Sequence, residues 1–280
     1  MKRVILKSLM LIVFLQGVFV ASQNLNIGNL TSLKAGNDVI YVAGQKGMAA
    51  LKPADMSVIW EKVLPEVTCR LIECTSTGLV CSGYNVEGKT GQPLSAFSSL
   101  WDKVMYNGLS VEMFDSKGNQ LWCARLNASS KLSTPAINDV IVAVSSNDSL
   151  YIFDAGTGNL KSQTYCNEKF LLGKTIKEHA IPNQPLILKN EIINAAPFKL
   201  TKIGLDGKML KSKEQYGMLQ SLPVMTVAPI SFQHFIFVAN APVGQKNTKE
   251  GTARLYCINE DLDKKWDSFV DVNCQTGVSS

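Results

Sequence analysis

Residues 134–160 read TPAINDVIVAVSSNDSLYIFDAGTGNL, and this segment carries a pattern that returns along the chain. Two runs rich in β-branched and aromatic residues, Val140–Val144 and Leu150–Phe153, are typical of strands. Asp154 then predicts a turn, because its carboxylate can accept bonds from the backbone that follows, and Gly158 supplies a positive φ. Pro135 marks a short strand before the first run, and Leu160 begins a further strand.

Similar segments recur at intervals of about 40–50 residues, with four short strands in each unit, which is the signature of a β-propeller. Runs like Val140–Val144 occur at 37–43, 190–195 and 234–239. The third strand of each unit is followed by an acidic or asparagine turn, at Asp55, Asp115, Asp154, Asp206 and Asn259. The fourth strand often begins near a tryptophan, at Trp60, Trp122 and Trp266.

The repeats predict an all-β fold, a β-propeller of four-stranded antiparallel blades. Five blades are visible, at about 30–65, 66–126, 127–168, 169–217 and 218–274, within one domain spanning 23–280. A propeller must close, because an unclosed blade exposes strand edges and apolar faces. The sequence leaves three modes of closure possible. The ring can be a compact five-blade closure with Asn24–Ile27 as a latching strand, an incomplete copy of a larger ring, or a ring that a partner chain completes.

Residues 1–22 have the pattern of a secretory signal peptide. Lys2, Arg3 and Lys7 precede an apolar run, Leu9–Val20, and small residues favour cleavage near Ser22/Gln23. We therefore expect a secreted or periplasmic protein with no membrane span after cleavage. Residues 1–22 hold three of the 28 basic residues and none of the 23 acidic ones, so the remainder has a net charge of only +2. Such a balance gives no field that would attract nucleic acid.

The segment Tyr151–Leu160, with its strand, Asp-x-x-x-Gly turn and leucine, resembles the pyrroloquinoline-quinone-like (PQQ-like) repeat of the wider WD40/YVTN-like superfamily. The resemblance covers about residues 30–270. This repeat builds the quinoprotein dehydrogenases and the propeller subunit of the outer-membrane barrel assembly machinery. The enzymes hold their quinone beneath a vicinal Cys-Cys pair in eight blades. This chain has no Cys-Cys pair, so the resemblance implies a non-catalytic member, similar to the assembly subunit, without a cofactor.

Two predicted insertions, Gly83–Gly108 in blade two and Pro242–Thr252 in blade five, separate second from third strands. Such loops leave a propeller on one face, and insertions concentrated on one face mark a binding face. We therefore expect a protein or glycan partner there. The candidate contact residues are Lys89, Trp101, Tyr106, Lys246, Lys249 and Glu250. The alternative is a quinoprotein-like oxidoreductase, or another enzyme, that uses the central channel.

Other motifs predict structure more than chemistry. Gly83–Thr90 matches a phosphate-binding loop, but Pro93 falls where its helix should continue. The turn acids Asp55, Asp115, Asp154 and Asp206 lack the alternating acids of a calcium loop, so we predict no metal site and no catalytic residue. No Ser/Asp or carboxylate pair recurs near His179 or His234, so we interpret both as structural histidines. A hairpin disulfide between Cys74 and Cys81, or buried thiols, are both compatible with the spacing.

Overall fold

The computed structural model describes residues 25–36, 38–75, 78–87, 105–127, 131–146, 149–166, 182–196, 199–214, 221–230, 235–242, 252–259 and 261–271. Within these ranges all regular structure is β-strand, arranged as five antiparallel sheets of four strands each. This confirms the predicted all-β class and the four-stranded antiparallel blades. In the part of the chain so described, no helix is long and apolar enough to cross a membrane.

Each sheet is a meander in which consecutive strands pair, and we call the sheets blades 1 to 5 in chain order. Blade 1 contains β1 (Leu30–Ala35), β2 (Ile40–Gly44), β3 (Gly47–Leu51) and β4 (Val58–Val63). Blade 2 contains β5 (Cys69–Cys74), β6 (Gly78–Glu87), β7 (Met105–Asp115) and β8 (Gln120–Arg125). Blade 3 contains β9 (Ala136–Ile137), β10 (Ile141–Ser145), β11 (Ser149–Asp154) and β12 (Leu160–Tyr165). Blade 4 contains β13 (Leu186–Ile187), β14 (Glu191–Ala196), β15 (Lys199–Gly204) and β16 (Met209–Glu214). Blade 5 contains β17 (Ser221–Ile230), β18 (Phe235–Pro242), β19 (Thr252–Ile258) and β20 (Lys264–Asp271).

The central strands of blades 1 and 3 are buried on both faces. Blade 3 lies between blades 2 and 4, and the face of blade 1 that points away from blade 2 packs against Leu25 and Ile27. Every residue of β2, β3 and β10 is buried, whereas β4 and β12 are mostly exposed along their length. This explains why the second strands are continuous apolar runs and do not alternate with polar residues. The fourth strands form the outer edge.

Four apolar clusters join consecutive blades. Tyr41 and Met48 of blade 1 pack with Leu79 and Phe114 of blade 2. Equivalent clusters join blades 2 and 3, blades 3 and 4, and blades 4 and 5. Because successive side chains of a strand point to opposite faces, each central strand supplies one cluster with every second residue and the next cluster with the others.

The first strands lie toward the common axis of the blades. β1 contacts β5, and β13 contacts both β9 and β17. Since all blades are the same meander, second-to-third-strand loops and fourth-to-first-strand connections leave at one end of the axis, which we call the loop face. The first-to-second and third-to-fourth-strand turns leave at the other end, which we call the turn face.

The proposed latching segment does not form a strand. Asn24 lies outside the described residues, and Leu25–Gly28 forms a turn whose Ile27 carbonyl accepts a bond of 2.7 Å from the Lys46 backbone N–H. Leu25 and Ile27 are buried against Ile40 and other residues on the face of blade 1 that points away from blade 2. Ladder pairing is absent because the Asn26 N–H donates to the Glu61 carboxylate, which is a side chain.

The loop in blade 2 is shorter than predicted. β6 continues to Glu87 and β7 begins at Met105, with Val86 opposite Tyr106, so the connection spans only 88–104. Tyr and Val favour an extended strand, and they prolong the ladder beyond a register shift near Gly83. This extended backbone also differs from the curved loop that would hold a phosphate.

Candidate functional site

Two tryptophans of the fourth strands, Trp60 and Trp122, each join their own blade to the next one. The Trp60 indole N–H in β4 donates to the Ser116 carbonyl of blade 2 at 2.9 Å. The Trp122 indole N–H in β8 donates to the Ala155 carbonyl of blade 3, also at 2.9 Å. Both acceptors lie in turns between third and fourth strands. Trp60 and Trp122 are therefore inter-blade contacts, and the neighbouring turn accepts the polar N–H of each indole.

The carboxylates of the turn acids accept hydrogen bonds from residues later in the same turn. Asn119 donates its side-chain amide to Asp115 at 2.9 Å and its backbone N–H at 2.8 Å, and these bonds lower the pKa of Asp115. Thr157 donates its backbone N–H and hydroxyl to Asp154 at 3.0 Å, which lowers the pKa of Asp154. These bonds favour the charged form of each carboxylate, and they hold the residues of the turn together.

The acid does not occupy the same turn position in every blade. Asp115 and Asp154 occupy the first position, where the backbone N–H closes the turn. In blade 4 Gly204 closes the turn and Asp206 follows, accepting the Lys208 N–H at 3.0 Å. In blade 1 Lys52 closes the turn and Asp55 accepts the Ser57 N–H, a bond that lowers the pKa of Asp55.

A polar cluster bridges four blades near the axis. The Lys34 ammonium of β1 donates to Glu73 Oε2 of β5 at 2.7 Å. The Gln184 side-chain amide, just before β13, donates to the same oxygen at 2.9 Å and to the Pro135 carbonyl, just before β9, at 2.7 Å. The Glu73 side chain is only 16% exposed, so the carboxylate is largely shielded from water. We call this the axial cluster.

Sequence reasoning missed the axial cluster. A signal exists, because the first strand of blade 2 carries two charged residues, Arg70 and Glu73, and Gln184 directly precedes the recurring Pro185. First strands line the axis of a propeller, so polar residues in them point to a channel network. The cluster joins side chains whose partners cannot be assigned from a single sequence.

A buried arginine links blades 1 and 2 close to the axis. The Arg70 guanidinium is 1% exposed and donates to the Gly44 carbonyl at 2.8 Å and to the Pro65 carbonyl at 3.1 Å. Thr31 donates its hydroxyl to the Arg70 carbonyl at 2.7 Å. Carbonyl acceptors bind Nη1 and Nη2 without neutralising the cation, whereas the buried Nε has no hydrogen-bond partner in the described part of the chain. Arg70 is therefore a charged structural clamp between the blades.

A cleft of about 300 Å³ opens between blades 2 and 3 on the turn face. Its walls come from the turns at Thr75, at Asn138 and Asp139, and at Ala155 and Gly156. The side chain of Cys74 lines it as well, and burial raises the pKa of this thiol. One carboxylate among backbone turns offers polar contacts to a ligand but no pair of groups for acid–base chemistry.

The predicted contact residues fall almost entirely outside the described residues. Lys89 and Trp101 belong to the connection 88–104, and Lys246, Lys249 and Glu250 belong to the connection 243–251. The backbone of Tyr106 is described and lies in β7. Both connections join a second strand to a third strand, and the described strand ends that they join lie at the loop face. The axial cluster and the cleft lie elsewhere.

Among the residues that the structure describes, no three His, Cys, Asp or Glu side chains come together as metal ligands. His179 and His234 lie outside these residues. The described cysteines, at positions 69, 74, 81, 123, 166 and 257, are all free thiols. Cys74 lies opposite Leu79 and Cys81 opposite Ile72, so the register separates the two thiols that a hairpin disulfide would join. Burial raises the pKa of Cys81, which is typical of an inert core thiol.

No protein-family model matches the chain, and no curated protein sequence does either. Solved structures are similar in fold. BamB from Moraxella catarrhalis matches with a TM-score of 0.51 and 12% identity, over 85% of this chain and 72% of that one. KlHsv2 with loop 6CD replaced by a Gly-Ser linker matches with a TM-score of 0.55 and 11% identity, over 86% and 72%. The Neurospora crassa Pan2 WD40 domain matches with a TM-score of 0.52 and 10% identity, over 86% and 65%. At these identities the likeness supports a β-propeller fold and nothing finer.

Proposed function

We propose that this chain is an exported, non-enzymatic propeller of the PQQ-like type that binds a protein partner through its loop face. One observation carries the proposal. The second-to-third-strand connections are 45–46, 146–148 and 197–198 in blades 1, 3 and 4, but 88–104 and 243–251 in blades 2 and 5. Long loops confined to one face of a rigid scaffold are where propellers place contact residues.

Trp101 supplies the first loop with a large amphipathic ring, a residue type that is enriched at protein interfaces, and Lys89 supplies a cation suited to a polar rim. Lys246, Lys249 and Glu250 supply the second loop with charges suited to a polar rim. A glycan is the other ligand class that such residues can bind. The axial cluster supports a scaffold role as well, because side chains from three blades and a backbone carbonyl from a fourth already contact one another where a channel enzyme would hold its substrate.

Loop exchange tests the proposal. Residues 89–103 are replaced by a Gly-Ser linker in one variant and residues 244–250 in another, with the turn-face change Asn138→Ala as the control. Each form is fused to a peroxidase and expressed in the source cells for proximity labelling. We expect both loop variants, and not the control, to lose a common set of proteins. The purified candidate should then bind the purified wild type and neither loop variant.

Three further results would contradict parts of the proposal. If both loop variants label the same proteins as wild type does, the partner does not bind at the loop face. Binding to a glycan array that depends on the loops would replace the protein partner with a sugar. Reduction of a dye after addition of pyrroloquinoline quinone and Ca²⁺ would favour the oxidoreductase. Amino-terminal sequencing of protein from the secreted or periplasmic fraction tests export, with Gln23 as the expected first residue.

A further inference from the structure

Corresponding positions of blades 1 and 2 carry side chains of very different size where each blade packs on the next one. Tyr41 of β2 and Trp60 of β4 lie opposite the same residue of β3. Val80 of β6 and Trp122 of β8 lie opposite the same residue of β7. Val80 therefore has in blade 2 the place that Tyr41 has in blade 1.

The Tyr41 ring fills the turn-face end of the interface between blades 1 and 2. Tyr41 is buried, and the centroid of its ring lies 6.1 Å from that of the Trp60 ring. It packs with Cys74 and Phe114 of blade 2. It also reaches the turn between β1 and β2, because a Cβ on Gly36 would lie 3.6 Å from the Tyr41 Cε2. An aromatic ring thus occupies the space between the two blades at this end.

The corresponding end of the interface between blades 2 and 3 is the cleft of about 300 Å³. Thr75, in the wall of the cleft, follows β5 as Gly36 follows β1. Val80 is fully buried in one cluster with Ala155, which lines the cleft, but valine has no ring that could extend to Thr75. The space that Tyr41 occupies in one interface is therefore open in the next.

Asp139 places a negative charge at the rim of this cleft. The residue is exposed, and none of the ion pairs within the described ranges includes it. Asn138 beside it accepts the backbone N–H groups of Val140 and Ile141 at 2.9 and 2.8 Å, and these bonds hold the turn that carries Asp139. An occupant that suits the cleft therefore combines an aromatic ring with a positive charge.

We propose that the cleft between blades 2 and 3 binds a tyrosine side chain of a partner protein in which a lysine or arginine lies next to that tyrosine. The ring takes the place that the Tyr41 ring has one blade earlier, and the cation pairs with Asp139. Burial of the ring supplies most of the affinity, and the exposed ion pair supplies specificity. The cleft is on the turn face, so this site is separate from the loop face.

A titration followed by nuclear magnetic resonance tests the site. The probe is the capped peptide Gly-Gly-Tyr-Lys-Gly-Gly, and the amide signals of Ile137 and Gly156 in the isotope-labelled full chain report its binding. Val80→Tyr fills the cleft from within, and Asp139→Lys reverses the charge at the rim. Glu66→Lys is the matched control, because it makes the same change of charge on a side chain that is 67% exposed and lies outside the cleft.

We expect Val80→Tyr to abolish the shifts, since its ring competes for the same space. Asp139→Lys should weaken binding about fivefold, and Glu66→Lys should leave it unchanged. A peptide with leucine in place of its tyrosine should bind wild type about tenfold more weakly. Because Asp139 is exposed, its variant and the leucine peptide test the site even if Val80→Tyr does not fold.

Four results would overturn the proposal. The first is the absence of any shift at Ile137 and Gly156 up to millimolar peptide. The second is equal binding of the tyrosine and leucine peptides, and the third is equal binding by wild type and Asp139→Lys. The fourth is tighter binding of free tyramine than of the peptide, because the cleft would then take a small molecule and not a segment of a partner protein.

Discussion

Replacing Gly158 by alanine should weaken the interface between blades 2 and 3 severely. A Cβ at this position would lie 2.5, 2.6 and 2.8 Å from three atoms of the Trp122 ring, and the backbone has a φ of 71°. The left-handed conformation costs a residue with a side chain about 1–2 kcal/mol. Overpacking against the indole adds about 1–3 kcal/mol. We expect the free energy of unfolding to fall by about 2–5 kcal/mol.

Urea unfolding followed by tryptophan fluorescence and circular dichroism measures the effect. Gly156→Ala is the matched control, because a Cβ there meets only the Asp154 carboxylate at 3.6 Å in the same turn. It should change the free energy of unfolding by less than about 1 kcal/mol. In a Trp122→Ala background, Gly158→Ala should lower the free energy of unfolding less than it does in wild type, because the ring that the new Cβ would meet is gone. Equal effects of Gly156→Ala and Gly158→Ala would show that the turn is not packed against the indole.

Three further experiments test the axial cluster, the turn acid Asp115 and the packing of blade 2. Glu73→Ala should lower the free energy of unfolding by about 1–3 kcal/mol, because it removes the carboxylate oxygen that Lys34 and Gln184 share. A similar loss from Glu66→Ala, whose side chain is 67% exposed, would contradict this. The pKa of Asp115 is lowered in the folded state, so the advantage of wild type over Asp115→Asn should be complete above about pH 4 and vanish as the pH falls through the lowered pKa. Urea midpoints measured at pH 7 and pH 3 check the sign. Ellman's reagent should label the exposed Cys123 in native protein well before the buried Cys81, and equal labelling rates would mean that blade 2 is loosely packed.

The fold was predictable because the same pattern of strands and turns occurs in every unit of the repeat. Asp154 and Gly158 predict one turn, and the same turn returns in each unit with the same strand pattern around it. The bounds of β11 differ from the predicted Leu150–Phe153 by one residue at each end. The loop in blade 2 was overestimated because Tyr84 and Val86 prolong β6, and nothing in a single sequence indicates how far a ladder continues into an insertion.

The turn acids also show where pattern reasoning ends. Asp55 and Asp206 match the pattern in the sequence, but they occupy later turn positions than Asp115 does. The turn tolerates this because its backbone closure does not depend on the side chain. The axial cluster was missed for a different reason. Gln184 and Glu73 are 111 residues apart, and only the rotation of successive blades brings them together.

The hydrogen bond between Gln184 and Glu73 has a consequence for cooperativity. In a linear array of repeats each unit touches only its neighbours, so an end can fray while the rest stays folded. Here blade 4 is tied to blade 2 across blade 3, and Lys34 adds blade 1 to the same carboxylate. Opening blade 3 alone would leave its carbonyl at Pro135 without the Gln184 amide and disturb both flanking sheets. Amide hydrogens of these four sheets should therefore exchange with solvent in one concerted step, as in a single foldon.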